Sequence, residues 1–338
     1  MQTTTIPIDP EHPDPQAIAQ AAERLRQGDL VAFPTETVYG LGANALDAEA
    51  VARIFAAKGR PARNPLIVHV ADVNAAQEIV TVWPEAAARL AAAFWPGPLT
   101  LVLPRHASIP DIVTGGGPTV GVRIPAHPVA LALLRAAGVP VAAPSANRSL
   151  QLSPTRAEHV LQSLGGRIPW ILDGGATSVG LESTVLDLSG SVPRLLRPGL
   201  LSPTQIEAII GPIRRQEGLP PQTDDAPLPA PGMLSRHYAP RAPLELYADG
   251  TPRMHQLLAL GRRVGRLTFD TMPAGLPGLK VIAMSRDPAL YANRLYAALH
   301  ELDAGGVDAI LVDIPPVEEA WMAVRDRLER AAVAAPSD

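Results

Sequence analysis

From Glu217 the chain reads Glu-Gly-Leu-Pro-Pro-Gln-Thr-Asp-Asp-Ala-Pro-Leu-Pro-Ala-Pro-Gly and runs on through Pro240 and Pro243, too dense in proline for a helix or a central strand. Each proline removes a backbone donor and fixes φ, so this stretch is a linker or a draped loop. Whatever folds must therefore fold on either side of it. The 338 residues exceed the usual size of one domain, and each flank holds enough apolar sequence for its own core. We expect a first domain over residues 14–211, a linker over 212–243 and a second domain over 244–338.

Both flanks alternate helical and strand-like patterns. Apolar positions recur at helical spacing from Gln16 to Arg26, and Asp29 to Phe33 then reads as a buried strand closed by Pro34. Asp47 suits the N-cap of a helix through Lys58, and further helices fit Pro84 to Phe94 and Pro128 to Ala137. Strands are expected over Leu66–Val70, Leu99–Leu103, Val120–Ile124, Val139–Ala143, Trp170–Asp173, Ser183–Leu188 and Arg194–Leu196, before a helix capped at Ser202. The second flank repeats the scheme on a smaller scale, with four strand candidates and three helices. This alternation predicts an α/β protein in two units.

Lys+Arg of 29 against Asp+Glu of 33 gives a net charge of -4, which argues against a surface built throughout to grip nucleic acid. Without cysteine there is no disulfide framework, thiolate nucleophile or cysteine-ligated metal. The first residues lack a basic stretch followed by an apolar one, and no apolar run is long enough to span a bilayer. We therefore expect a soluble, cytoplasmic protein.

The chemistry gathers at strand ends. Phe33-Pro-Thr-Glu-Thr-Val-Tyr-Gly40 follows a strand, where α/β sheets bind ligands, so Thr35 and Thr37 offer hydroxyls to a small polar molecule; a rigid Pro/Gly turn would look the same. Lys58-Gly59-Arg60 with Arg63-Asn64, leading to His69, suits a polyphosphate, because guanidinium forks match phosphate oxygens. The helix dipole explains Lys58 but not the cations beyond the helix end, while His69 alone reads equally as a packed polar residue. In Thr114-Gly-Gly-Gly-Pro-Thr-Val-Gly-Val-Arg-Ile-Pro125, Arg123 sits in an apolar strand and calls for a carboxylate or phosphate partner, unless it lies on a solvated face. Pro144-Ser-Ala-Asn147, Leu181-Glu-Ser-Thr-Val185 and Leu196-Arg-Pro-Gly199 fall at further strand ends, and Pro231-Gly-Met-Leu-Ser-Arg-His-Tyr-Ala-Pro240 sets specific chemistry inside the linker. No Walker-type loop, His-Glu-x-x-His or Gly-x-Ser-x-Gly is present, so a nucleotide would need another cradle.

Taken in order, these motifs resemble the Sua5/YciO/YrdC family, and the linker's Pro-Gly-Met and His-Tyr-Ala-Pro resemble the longer, two-domain Sua5 form. The resemblance implies a YrdC-like twisted α/β sheet domain, a smaller C-terminal Rossmann-like α/β (Sua5) domain and a linker closing over the site as a lid. It implies a nucleotidyltransferase that joins L-threonine, bicarbonate or CO2 and ATP into L-threonylcarbamoyladenylate, releasing pyrophosphate. That product feeds N6-threonylcarbamoyladenosine formation at tRNA position 37 by a downstream transferase machinery, and Mg2+ is expected with the ATP. Carried over residue by residue, threonine falls to Thr35, His69, Arg123, the backbone at Ala143, and Ser183. ATP falls to Arg60, Asn64, Thr119, Ser145, Asn147, Ser153, Arg197 and Tyr238, with Lys58 and Arg60 neutralising the triphosphate for catalysis. Where many relatives continue Ser-Ala-Asn with Ser-Gly, this chain reads Arg148-Ser-Leu-Gln-Leu-Ser153, so a different loop is expected there.

Nucleotidyl transfer depends on positioning and charge stabilisation, so the sequence needs no protein nucleophile for it. Two other readings compete. One is a double-stranded RNA-binding module without turnover, which only Lys58, Arg60, Arg63, Arg123 and Arg197 would serve. The other is a carbamoyl-transfer domain of the hydrogenase-maturation type, against which the lack of cysteine-rich zinc motifs weighs.

Overall fold

A computed structural model describes residues 1–215, 237–270 and 276–333. Most of the expected linker, including Pro231-Gly-Met-Leu-Ser-Arg, lies outside the described residues. The strands of the first unit are Thr4–Pro7 (β1), Val31–Phe33 (β2), Gly40–Asn44 (β3), Ile67–His69 (β4), Leu99–Pro104 (β5), Thr119–Arg123 (β6), Val141–Ala142 (β7), Trp170–Asp173 (β8), Thr184–Asp187 (β9), Arg194–Arg197 (β10) and Arg214–Arg215 (β11). They form one mixed sheet in the order β1-β8-β2-β3-β7-β4-β6-β5-β9-β10-β11. Leu244–Tyr247 (β12), Val264–Thr268 (β13), Leu279–Ala283 (β14) and Ala309–Asp313 (β15) form a second sheet, wholly parallel, in the order β12-β15-β13-β14.

Helix boundaries follow the capping chemistry. Asp47 accepts from the backbone N–H groups of Glu49 and Ala50, and Gly59 ends that helix in the left-handed region at φ 62°, leaving Arg60 on a loop instead of a helix face. Ser202 and Gln205 form a reciprocal capping box. Helix Pro15–Arg26 buries Ile18, Ala22 and Leu25 with Val129 and Leu133 of helix Pro128–Ala137 on one face of the sheet. A larger apolar cluster, with Leu41, Ile54, Val68, Leu101 and Val122, fills the rest of the unit.

Two features depart from the sequence reading. The sheet takes in β1, ahead of the expected domain start at residue 14, because Thr4–Pro7 pairs with β8 in parallel. Gly40–Asn44 reads as a turn yet is a strand between β2 and β7. A Cβ on Gly42 would lie 2.8 Å from the Phe33 ring and 2.9 Å from the Val141 side chain, so glycine here answers a packing demand.

The second unit docks directly on the first. Val38, Leu152 and Leu181 join the apolar cluster of Tyr291, Leu295 and Trp321. Gly180, at φ 80°, lies against helix Pro288–Ala304, where a Cβ would come 2.5 Å from the Asn293 carbonyl oxygen. Asn293 fixes the contact by donating to the carbonyls of Thr177 and Ser178 at 3.1 and 2.8 Å.

Candidate active site

Strand register gathers the motifs. His69 and Arg123 are paired at the ends of adjacent parallel strands β4 and β6, and a bridge joins Gly40 to Ser145. Ala143 donates its N–H to the Ile67 carbonyl at 2.9 Å, holding the Pro144–Asn147 turn beside β4. The result is a polar cleft with about 540 Å3 of empty space including its mouth, lined by Thr35, Arg60, His69, Arg123, Ala143, Ser145, Ser183, Arg197 and Tyr238. Nine of the fourteen residues that the resemblance assigns to substrate or catalysis thus meet in one place, and Thr37 lines it with them.

At one end the buried charges are paired within the chain. Arg123 donates through Nε to Gly97 O at 3.1 Å and through Nη1 to Thr37 Oγ1 at 2.9 Å, and its Nη2 lies 2.6 Å from Glu36 Oε1. Both members of that ion pair are buried, so the anion that Arg123 demands is supplied from within the chain. The pair is close but misaligned for a hydrogen bond, which leaves Arg123 Nη2 and both Glu36 oxygens without one. Thr35 turns inward, donating to Val38 O at 2.6 Å and accepting from the Thr37 and Val38 amides. His69 is buried edge-on to Phe33, and desolvation together with the Arg123 charge lowers its pKa to about 3, so it is neutral at pH 7. Ser183 shares a hydrogen bond with Thr100 at 2.8 Å and accepts from Arg197 Nη2 at 3.1 Å.

The other end is electrostatically open. Arg60 is held by neutral acceptors, Asn64 O at 3.0 Å, Asn64 Oδ1 at 2.7 Å and Pro65 O at 2.8 Å. Burial pulls its pKa down to about 9, and Arg197 acts in the same direction. Lys58 is buried behind the Ser145–Asn147 turn, donating to the carbonyls of Ser145 and Asn147, and burial with the Arg60 charge pushes its pKa well down. Neither cation forms an ion pair with a carboxylate among the described residues.

Five of the residues picked from the sequence stand off the cleft lining. Asn64 orients Arg60, and Lys58 braces the Ser145 turn. Asn147 donates to Arg148 O and Gln151 O, shaping a loop in which Leu150 is left-handed at φ 70°. Ser153 is buried and donates to Glu182. Thr119 opens β6 while Arg123 ends it, and the four residue steps of strand from one to the other span about 13 Å.

Three further partners stand inside motifs that the sequence reading singles out without giving these residues a role. Glu36 stands between Thr35 and Thr37, and its place in a strand-end motif opposite a strand arginine is the one signal that points to it. Glu182 lines the cleft and accepts from Tyr296 at 3.1 Å and Arg327 Nε at 2.8 Å, both from the second unit. Burial alone would raise its carboxyl, but Arg327, Arg197 and Ser153 outweigh that and hold it down to about 2. His237, buried beside Tyr238, also lines the cleft, and burial lowers its pKa to about 3.

The family model described as telomere recombination, of the Sua5/YciO/YrdC type, matches residues 23–199, and the one described as the C-terminal domain of threonylcarbamoyl-AMP synthase matches residues 201–333. A threonylcarbamoyl-AMP synthase from Bacillus subtilis is 47% identical over 326 residues, covering 94% of this chain and 93% of its own length. One from Pyrococcus abyssi is 46% identical over 321 residues and 92% of each chain. The solved structure of P. abyssi Sua5 complexed with L-threonine aligns with 98% of both chains at a TM-score of 0.89 and 43% identity. Sequence motifs, strand-end cleft and both matched domains agree: the chain belongs to the Sua5/YciO/YrdC family, in the two-domain form that carries a Sua5 C-terminal domain.

Proposed function

We propose that this cleft is the active site of an L-threonylcarbamoyladenylate synthase. The relatives named above support that reading. The single observation that carries it is buried Arg60 on the cleft lining, which meets no carboxylate among the described residues and shares the cleft with a preformed polar end suited to an amino acid. Uncompensated buried charge is costly, and a triphosphate is the anion that would satisfy it.

In this reading the Thr35, His69, Arg123, Ala143 and Ser183 end holds L-threonine. Its amine adds to CO2, supplied by bicarbonate, and loses a proton to give a carbamate. A carbamate oxygen then attacks the α-phosphorus of ATP. The bond from the α-phosphorus to the bridging oxygen breaks, and pyrophosphate leaves with its charge neutralised by Lys58, Arg60 and Arg197. Neutral His69 adds no competing positive charge beside the amine. Mg2+ accompanies the triphosphate. Glu36 and Glu182 are each engaged by an arginine, and no cluster of three metal-ligating side chains occurs among the described residues, so the phosphates would supply the ligands. The adenylate then passes to the machinery that modifies tRNA position 37. No helix among the described residues is long and apolar enough to cross a membrane.

The test is release of pyrophosphate by the purified protein, which should require threonine and bicarbonate together. Mass spectrometry of product made from labelled bicarbonate should place the label in the adenylate. Equal turnover without threonine would reject the assignment. RNA affinity falling steeply with salt, with no ATP turnover, would favour the RNA-binding alternative instead.

A further inference from the structure

We propose that Arg327, on the C-terminal helix Met322–Ala331, is a positioning residue for the nucleotide end of the cleft, acting through Glu182 and Tyr238. The inference rests on the proposed function, because it assigns Tyr238 to the ATP side.

Arg327 does not line the cleft, yet its side chain is fully buried against two residues that do. Its guanidinium uses two different surfaces. The edge donates through Nε to Glu182 Oε2 at 2.8 Å, and the face lies over the Tyr238 ring with Cζ 5.1 Å from the centroid. Asp326 holds Nη1 from the same helix. Glu182 comes from the large sheet's side of the cleft and Tyr238 from the end of the linker, so one planar group sets the spacing between the two walls.

Tyr238 needs such a fixture. It is a non-glycine residue at φ 60°, a conformation that persists only where surrounding contacts enforce it. The segment is held on both sides: His237 donates its N–H to Arg330 O at 3.1 Å, and Ala239 donates to Leu150 O at 2.9 Å. The Tyr238 hydroxyl is buried without a hydrogen-bond partner, while its ring lines the cleft. A residue needed only to neutralise Glu182 would not have to present a flat face to this ring, and Arg197 already stands near Glu182 to share that task.

Three full-length proteins decide the matter: wild type, Arg327→Met and Arg327→Lys. ATP and threonine dissociation constants are measured by calorimetry, and melting temperature is recorded alongside. Lysine keeps a charge for Glu182 but has no planar face, so Arg327→Lys should keep most of the melting temperature while ATP binding weakens on the order of tenfold and threonine binding by less than about twofold. Arg327→Met should weaken ATP at least as much, and if it fails to fold the lysine variant alone carries the test. Unchanged ATP affinity in Arg327→Lys overturns the proposal, as does an equal loss for both ligands. Wild type that binds ATP yet forms no adenylate would count against the assigned reaction, whereas the affinity ratio would still decide the role of Arg327.

Discussion

The two ends of the cleft solve opposite electrostatic problems. Where threonine is proposed to bind, Arg123 is already neutralised by Glu36 and hydrogen-bonded to Gly97 and Thr37, all within the large sheet's unit. Where the nucleotide is proposed to bind, Arg60 and, behind the Ser145 turn, Lys58 are held by neutral oxygens, and the wall is completed by His237, Tyr238 and, behind them, Arg327. A zwitterionic amino acid brings no net charge, so its site can be neutral and prebuilt. A triphosphate brings several negative charges, so its site keeps positive charge in reserve at some cost to the stability of the empty protein.

The sharpest way to break this comparison is to remove the uncompensated charge. Arg60→Met should lower turnover on the order of 10^3-fold, about 4 kcal/mol of transition-state stabilisation, as expected for an arginine serving phosphoryl chemistry. The same change should shift the melting temperature little, because it relieves a buried cation that meets no carboxylate among the described residues while leaving the Asn64 and Pro65 acceptors unpaired. A marked fall in melting temperature would mean that Arg60 is compensated after all.

Arg123→Met should do the reverse. It strands Glu36 in a buried site, at a cost of roughly 3 kcal/mol in unfolding free energy, which urea titration would read as a lower midpoint. The threonine requirement should rise more than the ATP requirement. An Arg123→Met protein as stable as wild type would show that the Glu36 pair contributes little, and an unchanged threonine dependence would remove Arg123 from its proposed role.

The same contrast governs what was legible in the sequence. Thr35, His69, Arg123, Ser145, Ser183 and Arg197 stand at or beside the ends of apolar runs, so the α/β pattern alone places them at one edge of a sheet. Glu36 was visible but not its partner, since pairing Glu36 with Arg123 requires knowing that the β2 loop and the end of β6 meet. The Gly40–Asn44 strand was hidden because glycines chosen to clear Phe33 and Val141 look like turn residues. Arg327 carries no signal at all: in Met-Ala-Val-Arg-Asp-Arg-Leu-Glu-Arg-Ala it reads as one more charge on a helix surface, and only docking of the second unit buries it. Contacts local to a motif could be read, whereas those made by packing one unit on another could not.

A smaller effect follows from ligand linkage. A non-hydrolysable ATP analogue at a hundred times its dissociation constant should stabilise the protein by about 2.7 kcal/mol, raising the melting temperature. In Arg60→Met that rise should largely vanish, while a rise produced by threonine should survive. Loss of both would mean that the two ends are one electrostatic unit, contrary to the contrast drawn above.

The smallest effect concerns protons and asks whether the two ends melt together. His69 at the threonine end and His237 at the nucleotide end are both buried, and burial lowers each to about 3 from an ordinary value of 6.5. The folded state therefore holds both neutral, whereas the unfolded chain takes up protons below about pH 6.5. Stability from these groups is complete above that pH and is lost as pH falls toward 3, by about 1 kcal/mol for each imidazole between about pH 6.5 and 5.5. His159, stacked on His300 at 3.8 Å between the two units and likewise lowered to about 3, acts in the same direction. Replacing either His69 or His237 with Asn should flatten the acid slope of the urea midpoint by a similar amount if the cleft unfolds as one cooperative body. A slope that responds to His69→Asn but not to His237→Asn would mean that the nucleotide end opens before the sheet does, placing the stability boundary between the two ends of the cleft.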